Sequence, residues 1–213
     1  MAAPGALLQV LRSIAEELPA HEQRLNELDA ALGDGDHGLT ITRCCRAIRE
    51  QLELLSNASV AEALAAVGTA VVARAGGASG ALLGSAFLAA GQAVADGQPI
   101  DAARVAAMLD AARQAVASRG RVAPGDKTML DALAPAAEAA RRAAGSGGSV
   151  ADALAAAAAA AEEGADATGD LVGRAGRASR LGERSLGHPD PGAVSVALML
   201  RVAADRLRAA GAA

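Results

Sequence analysis

One short segment, residues 28–38, reads LDAALGDGDHG and combines three carboxylates with three glycines. Its acidic residues, Asp29, Asp34 and Asp36, follow the spacing Asp-x4-Asp-x-Asp. Leucines at helical spacing place Asp29 near the end of an amphipathic helix, and the glycines permit a tight turn after it. Three carboxylates held together repel one another unless a cation lies between them. Mg²⁺, which binds a few carboxylates and shares its remaining positions with water and phosphates, is the ion that this pattern favours.

The same residues allow a simpler interpretation. They form an acidic, glycine-rich turn between two helices, in which Asp36 is the N-cap of the second helix. A calcium-binding EF-hand is excluded by the spacing. A loop that started at Asp34 would have Gly38 where a ligand is needed and Cys45 where the closing glutamate belongs.

The composition predicts an all-helical protein. Of the 213 residues, 52% are hydrophobic, with alanine prominent, one phenylalanine, and no tyrosine or tryptophan. Alanine is the strongest helix former, whereas the aromatic residues that favour strands are nearly absent. We expect a single domain over residues 1–213, with helices packed closely through small side chains. Cys44 and Cys45 are adjacent and poorly placed for a disulfide, which favours a reduced, cytoplasmic protein.

Two classes of partner are disfavoured. No apolar run reaches the length of a membrane span without a charge or a glycine. The net charge of −4 and the lack of aromatic residues for base stacking argue against nucleic-acid binding.

Hydrophobic periodicity predicts helices along most of the chain, with a break at Ser56-Asn57 and Ser59 as the cap of the helix that follows. The predicted helices lie over residues 5–18, 20–32, from 38 through 52, 101–118, from 126 or 128 onward, and 192–208. Buried stripes at residues 60–71 and 83–94 mark two more, and an alanine-rich helix after residue 149 weakens near residues 164–169. A serine in the loop at residues 145–149 would cap the alanine-rich helix.

Glycines and a serine precede one of these helices, in the sequence AGGASG at residues 75–80. Bare N–H groups at the positive end of a helix bind phosphates well. Small residues at this place also serve close helix packing, and the segment alone does not decide between the two.

A further glycine-containing segment, residues 120–131, reads GRVAPGDKTMLD and looks at first like a phosphate-binding P-loop. Asp126 separates Gly125 from Lys127, and no strand precedes the segment, which excludes that motif. By the plain pattern, Asp126 or Thr128 begins a helix and Lys127 is solvated.

Residues 173–192 are too rich in glycine and proline for a continuous helix, and long loops in compact domains are commonly functional. The loop carries four arginines: Arg174, Arg177, Arg180 and Arg184. These side chains could neutralise phosphate charge that builds during transfer. A solvated basic edge and a docking face for an acidic partner are the alternatives.

Four runs together resemble one family: LDAALGDGDHGLTITR, GASGALLG, PGDKTMLDAL and GRASRLGERSLGHPDPGA. They are similar to the signatures of the nucleotide-binding L subunit of dihydroxyacetone kinase. The resemblance implies a ring of about eight antiparallel, up-and-down helices with the nucleotide on one rim. It also implies that Asp29, Asp34 and Asp36 hold two Mg²⁺ ions on the phosphates of ADP or ATP, with Arg177 beside them as a catalytic group.

The resemblance further implies a set of nucleotide contacts. These are His37, Gly38, Leu39, Thr40, Ala78, Ser79, Gly120, Met129, Arg177, Asp190, Pro191 and Gly192. Thr40 stands where many standalone members have asparagine. His37 could alternatively accept a phosphoryl group, but its position beside Asp36 favours nucleotide contact.

The family implies that this chain is half of an enzyme, because the dihydroxyacetone is held by a separate K subunit. A chain of this length resembles the bacterial type in which bound ADP is rephosphorylated by a phosphotransferase-system protein. The alternatives are an ATP-dependent kinase subunit for another ketose or sugar acid, and a non-catalytic Mg-nucleotide-bound regulatory protein. The oligomeric state, a homodimer included, stays open.

Overall fold

The computed structural model describes residues 4–55, 58–94 and 98–211, and all its helices and turns follow the predicted all-α pattern. The α-helices are α1 (Pro4–Glu17), α2 (Glu22–Leu32), α3 (His37–Leu54), α4 (Val60–Arg74), α5 (Gly77–Gln92), α6 (Ala102–Gly120), α7 (Leu130–Gly145), α8 (Val150–Ala167) and α9 (Pro191–Gly211). Short 3₁₀ turns cover Leu18–His21, Thr168–Asp170, Ala178–Arg180 and Gly182–Ser185.

Helices α1 and α2 lie one after the other along α3. The guanidinium of Arg12 in α1 donates to the carbonyl of Leu52, 3.1 Å away, near the end of α3. Near the start of α3, the hydroxyl of Thr42 donates to the carboxylate of Glu22 in α2 at 2.5 Å. The contact partners on α3 move from its end toward its start as the chain proceeds from α1 to α2. Helices α1 and α2 therefore run antiparallel to α3, like one helix with a break in the middle.

The remaining helices complete a closed ring. Each of α3 to α9 packs against its neighbour in the chain, and α1 packs against α9. With α1 and α2 sharing one position, the ring has eight positions, as the resemblance implied. In such an up-and-down ring the α2–α3, α4–α5, α6–α7 and α8–α9 loops fall on one rim. The α3–α4, α5–α6 and α7–α8 loops fall on the other, and the two are called the site rim and the far rim below.

The helix ends follow local sequence signals. Ser59 and Ser149 each accept a hydrogen bond from the N–H three residues on, and Glu62 and Asp152 bond back, which completes two capping boxes. The predicted caps are therefore confirmed. Helix α2 begins at Glu22 rather than residue 20, because Leu18–His21 forms a 3₁₀ turn around Pro19. The predicted break at Ser56-Asn57 lies outside the described residues.

Small residues let the helices approach closely, as the composition predicted. A Cβ added to Gly68 in α4 would lie 2.7 Å from the carbonyl oxygen of Gly84 in α5, and one on Gly84 would lie 2.8 Å from that of Gly68. Between α2 and α3, a Cβ on Gly38 would lie 2.0 Å from the carbonyl oxygen of Glu22. These backbones are in direct contact, so the middle of α5 and the start of α3 have little freedom to shift.

The ring encloses a core built mainly from alanine, leucine and valine. An apolar cavity of about 180 Å³ remains at the centre, lined mainly by leucine and valine side chains. The thiols of Cys44 and Cys45 are buried and unlinked, and burial raises the pKa of each to about 12. Among the described helices, none is long and apolar enough to cross a membrane.

Candidate nucleotide and metal site

A cavity of about 230 Å³ lies on the site rim, where the four loops meet. Each loop contributes to its wall. The end of α2 and the start of α3 supply acidic groups, the α4–α5 loop supplies glycines, the α6–α7 loop supplies Met129, and the α8–α9 loop supplies Arg177 and Asp190. Segments far apart in the sequence are thus brought together, as the ring topology requires.

Asp29 is the buried member of the acidic cluster, with a side chain in contact with the start of α3. Its Oδ2 accepts hydrogen bonds from the N–H groups of Asp36 at 2.9 Å and His37 at 3.2 Å. Asp36 occupies the N-cap position of α3 but makes no side-chain cap hydrogen bond. The alternative in which Asp36 caps the helix is therefore wrong, because Asp29 takes that role and leaves the Asp36 carboxylate exposed.

The three aspartates converge as the spacing predicted. Asp29, Asp34 and Asp36 each offer a carboxylate oxygen, and these oxygens lie within 4.8 Å of one another. Gly33 makes the turn possible, because a Cβ there would lie 2.7 Å from Oδ1 of Asp29. Three hard oxygen ligands, one buried and two open toward the rim, fit Mg²⁺, which keeps several water or phosphate ligands.

The guanidinium of Arg177 lies among these carboxylates. Its Nη1 donates to Asp34 and lies 3.4 Å from Oδ1 of Asp36 and 3.7 Å from Oδ2 of Asp29. The arginine thus supplies the positive charge that three clustered carboxylates require. Arg174, Arg180 and Arg184, in the same loop, are exposed.

The start of α5 offers backbone donors to the cavity. Gly76 and Gly77 have φ angles of 72° and 63°, a left-handed conformation that glycine adopts without strain. A Cβ on either would meet nothing within 4 Å, so open space lies beside this backbone. The first N–H groups of α5, at Gly77, Ala78 and Ser79, have no partner within the helix and carry the positive end of its dipole.

The opposite wall consists of Met129 and the start of α9. Oδ2 of Asp190 accepts a hydrogen bond from the N–H of Ala193 at 2.7 Å and so caps α9. A Cβ on Gly192 would lie 3.3 Å from Cβ of Met129, which shows how closely the two loops pack. Burial raises the pKa of Asp190 to about 7, and the nearby carboxylate of Asp131 adds to the rise.

His37 faces α9 as well as the cavity. Its Nε2 lies 3.1 Å from Oγ of Ser195, and that hydroxyl donates to the carbonyl of Gly192. Because the serine proton is used there, the imidazole is expected to donate through Nε2–H. Burial lowers the pKa of His37 below its usual value. The neutral ring therefore joins the start of α3 to the start of α9.

Lys127 contradicts the prediction that it is solvated, because only 1% of its surface is exposed. Its Nζ donates to two backbone carbonyls of the turn after α8, those of Thr168 and Leu171. The helix predicted to begin at Asp126 or Thr128 begins at Leu130 instead. The carboxylate of Asp131 holds the preceding loop by accepting from the N–H groups of Gly125 and Thr128.

Most residues that the resemblance assigned to the nucleotide line the cavity. These are Asp29, Asp36, His37, Thr40, Ala78, Ser79, Met129, Arg177, Asp190, Pro191 and Gly192. Asp34 does not line the cavity, but its carboxylate accepts a hydrogen bond from Arg177, which does. Gly38, Leu39 and Gly120 do not line it: Gly38 packs on α2, the N–H of Leu39 donates to Asn26, and Gly120 ends α6.

Four polar or charged residues at the site were not singled out from the sequence as site residues. Lys127, Thr128 and Arg43 line the cavity, and Ser195 supports His37. Ser195 had a visible signal, since it is a lone polar residue in the apolar run AVSVALML. The others lie in loops or beside many similar charged residues, where neither periodicity nor spacing marks them.

Comparison with known proteins places the chain in a family. The DAK2 domain model matches residues 31–205. The ADP-binding subunit DhaL of PEP-dependent dihydroxyacetone kinase 1 from Listeria innocua is 35% identical over 192 residues, which are 90% of this chain and 91% of that protein. D-erythrulose kinase from Mycolicibacterium smegmatis is 42% identical over 91% of this chain and 34% of its own length.

A solved structure shares the fold. The crystal structure of the dihydroxyacetone kinase from C. freundii in complex with AMP-PNP and Mg²⁺ superposes with a TM-score of 0.71 and 30% identity, over 96% of this chain and 34% of that one. The predicted all-α ring is confirmed, and so is the resemblance to the L subunit of dihydroxyacetone kinase. The chain belongs to the DAK2 domain family.

Proposed function

We propose that this chain is the nucleotide-binding subunit of a dihydroxyacetone kinase. It would hold ADP or ATP with two Mg²⁺ ions and transfer the phosphoryl group to dihydroxyacetone bound on a separate K subunit. Donation by a phosphotransferase-system protein to permanently bound ADP is the route we favour, since the Listeria relative covered over 91% of its length is named PEP-dependent. The whole chain would act as one domain in the cytoplasm, alone or as a homodimer.

The observation that carries this proposal is the pairing of two complementary features on one rim. An acidic cluster suited to Mg²⁺, formed by Asp29, Asp34 and Asp36, opens into the same cavity as the free N–H groups at Ala78 and Ser79. A nucleoside diphosphate or triphosphate needs both features, because the charge of its phosphates requires cations and the phosphate oxygens require hydrogen-bond donors.

Different residues of the cavity would have different roles in phosphoryl transfer. The aspartates would hold Mg²⁺, which neutralises phosphate charge when bound. The N–H groups at the start of α5 would orient the phosphates, and the guanidinium of Arg177 would stabilise the charge that develops on the transferred group. Met129, a flexible and polarisable side chain, would cover the base in a cavity that no phenylalanine, tyrosine or tryptophan lines.

The experiment is native mass spectrometry of protein purified without added nucleotide and then exposed to labelled ATP. Retained ADP with two magnesium ions that does not exchange supports the bound-cofactor route. ADP that exchanges freely supports an ATP-dependent kinase instead. A chain that binds no nucleotide at any magnesium concentration overturns the proposal. Asp205→Asn, at an exposed position on α9, is the matched control for changes in the acidic cluster.

A second candidate is a kinase subunit for another ketose, favoured by the 42% identity to D-erythrulose kinase. A panel of ketoses tested with the cognate K subunit separates the two. A third is a nucleotide-bound regulatory protein without turnover. Passage of labelled phosphate through the bound nucleotide to a ketose excludes it, whereas stably bound ADP alone does not.

A further inference from the structure

Lys127 is held in an unusual state at the site. The residue is 1% exposed and its φ is 63°, a left-handed conformation that a residue with a long side chain seldom adopts. Burial of an ammonium group is costly unless hydrogen bonds replace its water. The conformation therefore persists only because the surroundings of Lys127 hold it.

Those surroundings are the turn that directly follows α8, at residues 168–171. The Nζ of Lys127 donates to the carbonyl oxygens of Thr168 at 2.5 Å and Leu171 at 3.0 Å. Carbonyls at the C-terminal end of a helix lack partners within it and carry the negative end of its dipole, so a cation binds there favourably. Burial lowers the pKa of the Lys127 ammonium, and the nearby carboxylates of Asp190 and Asp170 oppose that shift.

The same turn holds the start of α9. The hydroxyl of Thr168 accepts a hydrogen bond from the N–H of Asp190 at 2.7 Å. Asp190 in turn caps α9 through Ala193, and Gly192 packs against Met129. A continuous set of contacts therefore runs from the Lys127 ammonium through Thr168 to the cavity wall.

We infer that Lys127 is a positioning residue that holds the wall formed by Asp190, Pro191 and Gly192 against Met129, and so sets the affinity of the cavity for the nucleoside part of the ligand. The inference rests on the proposed function. Lys127 acts through Thr168 and not as a phosphate ligand, since two of its three ammonium protons already bind carbonyl oxygens.

The test compares ADP and adenosine, with magnesium in excess, by isothermal titration and competition. Lys127→Met removes the charge and keeps most of the side-chain volume. We expect it to weaken both ligands by the same factor, at least about tenfold, because both would bind against the same wall and that wall would no longer be held in place. A lysine that contacted phosphate would weaken ADP and leave adenosine unchanged, and that result overturns the inference.

Thr168 provides an independent arm. Thr168→Val removes the hydroxyl that holds Asp190 and leaves the carbonyl contacts of Lys127, and Thr168→Ser is its matched control with the hydroxyl kept. In the double variant of Lys127→Met and Thr168→Val, we expect the fold-loss of ADP affinity to be smaller than the product of the two single fold-losses, because both substitutions act on one wall. Independent effects, or no loss with Thr168→Val, contradict the inference.

The outcomes remain informative if a variant fails to fold. Thermal unfolding of each ligand-free protein is measured first, and if Lys127→Met is unfolded, Thr168→Val against Thr168→Ser decides by the same ADP and adenosine comparison. Wild-type protein that binds no ADP refutes the proposed function. Wild-type binding that Lys127→Met or Thr168→Val leaves unchanged refutes only the positioning role.

Discussion

The Nη1 atom of Arg177, in the α8–α9 loop, lies 3.7 Å from Oδ2 of Asp29, at the end of α2. The same nitrogen contacts Asp34 and lies 3.4 Å from Asp36. The guanidinium of Arg177 thus lies among the same three carboxylates that a metal ion would bind. Arg177 and a metal ion therefore serve the same carboxylates, and a bound ion would displace the arginine from them.

The first prediction concerns this competition. Arg177→Ala should lower the melting temperature slightly in chelator, because the carboxylates lose a shared counter-ion, and exposed ion pairs contribute up to about 1 kcal/mol. Adding Mg²⁺ should raise the melting temperature more in this variant than in the wild type. Differential scanning fluorimetry with a magnesium titration measures both effects. Arg180→Ala, in the same loop, is the control, and an equal magnesium response in all three proteins would contradict the competition.

The second prediction concerns Asp34, an exposed carboxylate of the cluster. Asp34→Asn keeps the size of the side chain but removes one anionic ligand, so magnesium-dependent ADP binding should fall severely, by about 100-fold or more. Isothermal titration of ADP at several magnesium concentrations measures the loss. Unchanged binding, with Asp205→Asn behaving like the wild type, would overturn the metal assignment.

The third prediction concerns His37. His37→Ala should weaken nucleotide retention, because it removes the imidazole that joins the start of α3 to Ser195 in α9 beside the cavity. Native mass spectrometry after dialysis measures the bound fraction. Ser195→Ala keeps the imidazole but removes its partner, and should produce a smaller loss of the same kind. Phosphohistidine detected at His37 would show that the residue instead accepts the phosphoryl group.

The fourth prediction concerns pH. Burial raises the pKa of Asp190 to about 7 in the folded protein, from a usual value of 3.8. The folded state therefore binds this proton more tightly than the unfolded state, and stability that is present below about pH 4 is lost as the pH rises toward 7. Asp190→Asn keeps an acceptor for the N–H of Ala193 but has no proton to lose.

The gain in stability from Asp190→Asn should therefore grow from pH 4 to pH 7 and level off above it. The expected size is at most about 4 kcal/mol, since the pKa rises from 3.8 to about 7 and one pKa unit corresponds to about 1.4 kcal/mol. Urea unfolding of metal-free, nucleotide-free protein at each pH gives the difference. Asp166→Asn, at an exposed position on α8, is the control. A gain that is the same at every pH would show that Asp190 does not titrate in this range.

Features that depend on neighbours in the chain were predictable from the sequence. The capping boxes at Ser59 and Ser149 follow from residues three apart, and the convergence of Asp29, Asp34 and Asp36 follows from one helix end and one turn. Composition was sufficient for the all-α class, because the residues that favour strands are scarce.

Features that depend on distant contacts were not predictable. Lys127 is buried against the turn that follows α8, and its two carbonyl partners lie 41 and 44 positions away along the chain. His37 and Ser195 meet across 158 positions. Asp29 rather than Asp36 accepts hydrogen bonds from the N–H groups at the start of α3, and this depends on a side-chain orientation that spacing does not determine. Only the resemblance to a known family predicted that these loops come together at one site.

The arrangement of the loops on two rims also has a practical consequence for labelling and evolution. The four loops of the site rim contribute to the cavity, whereas the cavity lining includes no residue of the α7–α8 loop on the far rim. Residues such as Ser146, exposed in that loop, can therefore carry a fluorophore or a surface tether without touching the chemistry. For the same reason, evolution can change or lengthen the α7–α8 loop without altering the residues that line the cavity.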